Sequence, residues 1–166
     1  LMPDLKQWAI LAVLPENEAN NLIAENNLNS LIKKALGDFI KTYTSVFLCK
    51  IQAMLLQPEE GHGLWNGKSV FGNLPKSGDD WNGPIAVLTR ATIRLSKAKS
   101  FWRHVDGVSA EMAKAPGIVT SYGIGEAPFL KQATFSIWES KQAMYDFAYK
   151  MPEHKEVVKR TYQDKW

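Results

Sequence analysis

Cysteine is nearly absent from this sequence. Among 166 residues there is only Cys49, so no intrachain disulfide can form and no site built from several thiolates is available. A reducing compartment such as the cytoplasm is the expected home. Long apolar runs are missing too: the run through Ala9 to Leu14 falls well short of the roughly 20 residues that a membrane-crossing helix needs. No basic-then-apolar leader opens the sequence. An excess of one charge is also lacking. Twenty Lys and Arg stand against 17 Asp and Glu, a net charge of +3 with no long basic run, so the electrostatic footprint of a nucleic-acid binder is absent. Hydrophobic residues at 45% and charged residues at 22% put the chain with packed globular proteins and away from disordered ones.

The pattern along the chain changes near its middle. Gln7 to Val13 reads as a buried strand, and from Glu16 the apolar residues Ala19, Leu22 and Ile23 recur at helical spacing. A second short helix is expected over Leu28 to Leu36, then a strand over Tyr43 to Ala53, where β-branched and aromatic residues alternate. Pro58 to Pro84 is rich in glycine and proline with little periodicity, which marks a long connecting loop. The expected division is therefore residues 1–57, a loop over 58–84, and residues 85–166.

The second half has sharper signals. Ile85 to Ile93 reads as a strand, followed by a helix with Ser96 as its cap and Ala98, Phe101, Trp102, Val105, Val108 and Met112 on one face. Pro116-Gly117 stops that helix. Strands over Ile118 to Ile124 and Gln132 to Trp138 flank a Gly-Glu-Ala-Pro turn, Ser140 caps a further helix, and Pro152 opens another to about Tyr162. Strand, helix, strand, strand, helix is the split βαββαβ ferredoxin-like order without its last strand.

A shift of 124 residues lays Trp8 to Val13 over Gln132 to Ile137, Ala19 over Ala143, Ile23 over Phe147 and Ala24 over Ala148. This repeat predicts an α+β chain of two tandem ferredoxin-like modules, a dimeric-α/β-barrel-like pseudo-dimer incomplete at both ends. Such modules commonly pair their sheets around a central cavity. The opening Leu1-Met2-Pro3 and the close on Lys165-Trp166 fit the expectation of further segments beyond each end.

Few residues carry recognisable chemistry. His154 shares a helical face with Val157, Val158 and Thr161, which suits either a metal ligand or a hydrogen-bonded core imidazole. In the repeat, Ser30 or, with one residue of slip, Leu31 takes its place, so the two halves would offer one such site. His104 reads as a solvated helix residue and His62 as a loop residue. Arg90 shares a strand face with Leu88, Thr92 and Arg94, opposite the Thr89, Ala91, Ile93 face that suits the following helix. A buried arginine there needs an anion, either a protein carboxylate such as Glu126 or a ligand carboxylate. Gly123-Ile124-Gly125-Glu126 lacks the third glycine and the helix of a dinucleotide fingerprint and reads as a strand ending in a turn.

Leu88-Thr89-Arg90-Ala91-Thr92-Ile93-Arg94, then Phe101-Trp102, Gly123 to Glu126, and Gln132 to Trp138 closely resemble the spheroidene monooxygenase family of carotenoid biosynthesis, as does Ala9 to Val13. The resemblance runs in order from about Gln7 to Trp166. It implies an oxygenase that inserts oxygen from O2 into an acyclic carotenoid, forming a ketone near the chain end, with haem b iron and electrons from a reduced ferredoxin. It makes His154 the candidate iron ligand, within the matching Pro152-Glu153-His154 segment. Arg90 becomes a candidate for holding a haem propionate or bound oxygen, with catalytic and cofactor-binding roles. A carotenoid substrate also brings the expectation of peripheral membrane contact. Three other readings stay open: a cofactor-free monooxygenase of the same barrel type, a haem or lipid carrier, and a haem-dependent dehydratase.

Overall fold

Ile85, Val87, Thr89 and Thr92 are β-branched residues in an alternating stretch, and in the computed structural model they belong to strand β1, Ile85–Thr92. The structure describes residues 7–25, 28–47, 50–76, 81–127, 130–151, 155 and 159. The chain divides into two units, one of Leu1–Ala9 with Asp80–Trp166 and one of Ile10–Asp79. One break, Asp79/Asp80, lies within residues 58–84; the other, Ala9/Ile10, lies within the expected Gln7 to Val13 strand.

In the first unit, β1 is followed by a 3-10 turn, Leu95–Lys97, and by α3, Ala98–Met112. Strands β2, Ile118–Ala127, and β3, Lys131–Trp138, come next, then α4, Lys141–Lys150. Among the described residues the strands form one antiparallel sheet in the order β1-β3-β2. That order, with a helix between β1 and β2 and another after β3, is the ferredoxin-like arrangement without a fourth strand. The α+β class and the strand, helix, strand, strand, helix sequence expected for this half are present.

Both helices pack on one face of the sheet. Trp138 at 1% exposure, Phe147 at 3% and Ala115 form the centre, with Ile85, Val87, Val108, Met112, Ile118, Ala143 and Met144 against them. The rings of Trp138 and Phe147 lie 5.2 Å apart at 36°. A buried indole needs an acceptor, and Trp138 Nε1 donates to Ser136 Oγ at 2.9 Å, which explains a serine only 4% exposed in the central strand. Helix α4 starts where expected, since Ser140 Oγ accepts from Ala143 N–H at 3.1 Å. The link from α3 to β2 closes at Gly117, whose φ of +77° suits glycine and whose absent side chain leaves room for Ala143.

Other boundaries moved. Ser96 is no cap: it lies inside the 3-10 turn, and Lys97 stands at the N-cap of α3 without a side-chain hydrogen bond. The Gly-Glu-Ala-Pro turn begins later than expected, because β2 continues through Glu126 to Ala127, where Ala127 still pairs with Lys131 after a register shift at Glu126. The helix expected from Pro152 lies outside the described residues except for Lys155 and Lys159, which are helical.

The N-terminal part of the chain, mostly in the second unit, overturns two strand expectations. Residues 7–15 form no regular element, and Ile10, Leu11 and Val13 are about half exposed, at 52%, 52% and 51%. An apolar run becomes a strand only beside a partner that takes its backbone hydrogen bonds, and no described strand is its partner. After Pro15 the chain enters α1, Glu16–Glu25, with Glu16 and Glu18 in the first turn, where the helix dipole favours acids. Helix α2, Leu28–Phe47, then runs through the first residues of the expected Tyr43 to Ala53 strand. Thr44 and Ser45 donate to the carbonyls of Lys41 and Thr42, an intrahelical outlet that lets hydroxyl residues stay helical despite their strand preference. Gly37, at φ 44° and ψ −130°, breaks α2 where the short Leu28 to Leu36 helix was expected to end. The strand-helix-strand unit expected from the internal repeat is therefore not formed by the described residues.

The 58–84 segment has more order than its composition suggested. Trp65 and Lys68 bond to each other in both directions across Asn66 and Gly67, whose φ values of 52° and 81° fit a two-residue hairpin turn. Gly61 N–H donates to Pro75 C=O at 2.9 Å and ties the loop's two ends.

Candidate functional site

The face of the sheet turned away from α3 and α4 carries the candidate chemistry. Residues opposed across the ladders share a face, so Ala86, Ile137 and Thr120 form one row, Leu88, Phe135 and Tyr122 the next, and Arg90, Ala133 and Ile124 the third. Within these rows the face is mostly apolar, with the hydroxyls of Thr120 and Tyr122 and one charge pair, Arg90 with Glu126. Leu88, Ile124, Phe135 and Ile137 are half-buried, and Tyr122 is 47% exposed.

Arg90 Nε donates to Glu126 Oε2 at 2.6 Å, and Nη2 donates to Oε1 at 2.9 Å, a bidentate fork. The pair runs from β1 to β2 over the central strand. Ala133 lies between Arg90 and Ile124 in the register and is 8% exposed, so a small residue sits where the long side chains cross. A register shift between Gly125 and Ala127 leaves Glu126 without a ladder partner, and the bulge places it at the sheet end beside Arg90's reach. The hydrogen bond to Glu126 raises the Arg90 pKa, burial opposes this, and the Glu126 charge adds to it. Arg90 is thus a permanent cation, with its side chain 14% exposed and that of Glu126 30%.

The structure bears out the faces expected for β1: Ile85 and Val87 join the core, Ile93 is 3% exposed, and Leu88 with Arg90 stands on the far side. Of the two partners considered for Arg90, the protein carboxylate Glu126 is present. His154 and Cys49 lie outside the described residues. His104 is half-buried on α3, on the helix-covered side, and His62 is exposed in the loop of the other unit. Among the described residues no cluster of His, Cys, Asp and Glu could hold a metal ion. Gly123 to Glu126 is strand, as its missing third glycine indicated.

Sequence reasoning missed Tyr122, Ile124, Phe135 and Ala133 as members of this face. Alternation along β3 could have supplied Phe135 and Ala133, but the bulges in β2 break the simple count. The Asn66-Gly67 dipeptide was a readable hairpin signal passed over within the loop.

No family model matches the chain. It is 34% identical over 166 residues to a spheroidene monooxygenase of Cereibacter sphaeroides, covering 99% of this chain and 47% of that protein. A spheroidene monooxygenase of Rhodobacter capsulatus is 32% identical over 165 residues, 99% of this chain and 64% of its own. One from Rubrivivax gelatinosus is 38% identical over 114 residues, 68% of this chain and 42% of its own. The chain thus spans between about two fifths and two thirds of the length of these relatives. Among solved structures, a Nitrosomonas europaea protein described as an antibiotic biosynthesis monooxygenase aligns over 50% of this chain and 80% of its own, at 7% identity and a TM-score of 0.44.

Proposed function

We propose, from its similarity to spheroidene monooxygenases over nearly its whole length, that the protein is a monooxygenase inserting oxygen from O2 into a long apolar substrate of the carotenoid type. The observation that carries this reading is 34% identity across 99% of the chain to a protein of that name. The sheet face supports it by its chemistry. Leu88, Ile124, Phe135 and Ile137 suit a polyene, and Arg90 with Glu126 supplies a fixed polar element at one end. In the tandem barrel reading a second sheet would close this face; residues 7–13 and 43–47, expected to supply strands to it, form no strand here.

Haem b belongs to the same proposal, and when bound it would supply the activation of O2. The described residues fit it in one respect: Arg90 is a half-buried guanidinium that could present a second edge of its fork to a haem carboxylate beside Glu126. They supply no imidazole on this face, so the iron ligand in this reading is His154, which rests on the sequence resemblance alone. Two successive hydroxylations of one methylene would give a gem-diol that loses water to a ketone. Each hydroxylation consumes one O2, two protons and two electrons from a reductant such as reduced ferredoxin. The chain's own part is to bind the polyene on an apolar face and to hold water away from it.

The test is the absorption spectrum of the full-length protein, expressed with haem supply, for wild type and His154→Ala. A Soret band that shifts with reduction and CO and is lost in the variant supports haem held by His154. An unchanged band in the variant keeps haem and discards His154. Activity without any band overturns the haem part and leaves a cofactor-free oxygenase.

A further inference from the structure

From Ile85 to Val105 the sequence contains no acidic residue, yet it holds Arg90, Arg94, Lys97, Lys99 and Arg103. Arg90 is engaged by Glu126. The others gather around the 3-10 turn and the start of α3. Arg94 and Lys97 bracket the turn, with Lys97 N–H bonded to Arg94 C=O at 2.8 Å. Lys99 and Arg103 are both exposed and stand one helical turn apart. None of these four forms an ion pair with a described residue.

This placement works against the helix. Helix α3 has no acid in its first turn and no side-chain cap, so Lys97 and Lys99 sit where the macrodipole is already positive. Like charges at the spacing of Lys99 and Arg103 repel. A sequence that breaks local rules without a compensating contact inside the fold points to something outside it.

Apolar residues complete the surface. Leu95, inside the turn, is 77% exposed, although its neighbour Ile93 is 3% exposed. Ile93 N–H donates to Leu130 C=O at 2.6 Å, and Thr92 pairs with Lys131, so the β2–β3 connection lies alongside. It adds Leu130, 38% exposed, and Lys131. Two leucines with a collar of Arg94, Lys97, Lys99 and Arg103 therefore occupy one end of the sheet.

We infer that this end, centred on Leu95 and the Arg94–Arg103 segment, docks on an anionic lipid surface. The cations meet headgroup phosphates while Leu95 and Leu130 enter the boundary of the acyl region. A bilayer surface takes the charges and the protruding leucines together, with phosphates outside and acyl chains beneath. No helix among the described residues is long and apolar enough to cross a membrane, so the contact is peripheral. The inference does not depend on haem or on the reaction, and a surface docked in this way gives a polyene-binding protein access to membrane-dissolved molecules.

Co-sedimentation of the full-length protein with phosphatidylcholine vesicles, with and without phosphatidylglycerol, tests this. The expected result is binding only to the anionic vesicles, weakened by salt. Lys99→Glu with Arg103→Glu lowers binding by at least about tenfold, Leu95→Ser lowers it while keeping its salt dependence, and Lys114→Glu beyond the far end of α3 leaves it unchanged. Circular dichroism confirms that each variant is folded. Equal binding to neutral vesicles, no binding to anionic ones, or charge-reversal variants that bind like wild type would each overturn the inference. So would salt-sensitive binding of a small acidic iron–sulfur protein here in place of vesicles.

Discussion

Arg90 and Glu126, 36 residues apart in sequence, are joined by a two-point ion pair at 2.6 and 2.9 Å that ties the outer strands of the sheet together across the middle one. The pair is the only ionic element among the described residues of the three rows that hold Ala86, Leu88 and Arg90. Its energy lies between that of exposed and fully buried pairs, because its two side chains are 14% and 30% exposed.

Glu126→Gln leaves the Arg90 cation with a weaker partner on a half-buried face. The expected loss of stability is about 1–2 kcal/mol. A double-mutant cycle with Arg90→Ala in urea unfolding checks it: the two single losses together should exceed the double loss, and the excess is the coupling of the pair. Arg90→Lys, which keeps the charge but not the fork, should retain less than half of that coupling.

Ser136→Ala removes the acceptor for Trp138 Nε1 in the most buried part of the sheet. An orphaned indole N–H in the core costs about 1–3 kcal/mol. Trp138→Phe removes the donor as well, so Ser136→Ala made in the Trp138→Phe background should cost clearly less than in wild type. Thermal unfolding of the four proteins gives the comparison.

Gly117→Ala is expected to destabilise by about 1–3 kcal/mol, through a left-handed backbone and a steric conflict. The new Cβ would lie 2.6 Å from the Cβ of Ala143. Adding Ala143→Gly relieves the conflict but not the backbone strain, so the double variant should recover part of the loss, less the cost of glycine in a helix.

Asp146 accepts hydrogen bonds from Lys150 and Gln142, which hold its carboxyl below the usual carboxylate range, with burial opposing slightly and the Lys150 charge assisting. A depressed folded pKa gives stability that is present above about pH 4, the unfolded value, and lost as pH falls through the folded one. The stability difference between wild type and Asp146→Asn should therefore be flat from neutral pH down to about pH 5 and shrink below it. The Arg90 shift has the opposite sense. Its raised pKa makes the guanidinium's contribution full at every working pH and lost only in strong alkali.

Much of the second half was legible because its signals are local. Ser140 before an amphipathic stretch, Pro116-Gly117 after one, and the alternation of β1 each have one structural solution, and even the two faces of β1 could be assigned. Partners across the sheet were harder to read: Glu126 was named for Arg90, but the row of Tyr122, Phe135 and Leu88 depends on a register that the β2 bulges displace. The first half failed where pattern and partner part company. Ala9 to Val13 has strand composition, but among the described residues no strand lies beside it. Tyr43 to Phe47 has strand-favouring residues that the preceding helix carries along, with Thr44 and Ser45 bonded back to its carbonyls. His154 was singled out by spacing and resemblance, and spectroscopy of its variant decides its role.

The central claim is oxygen insertion into a long apolar substrate, and isotope-labelled turnover tests it most directly. The full-length protein is incubated with an acyclic carotenoid, reduced ferredoxin and ¹⁸O2, and the product is analysed by mass spectrometry. A ketone near the chain end carrying ¹⁸O is the predicted result. A protein that binds the carotenoid and returns it unchanged, or a product whose oxygen comes from water, would contradict it.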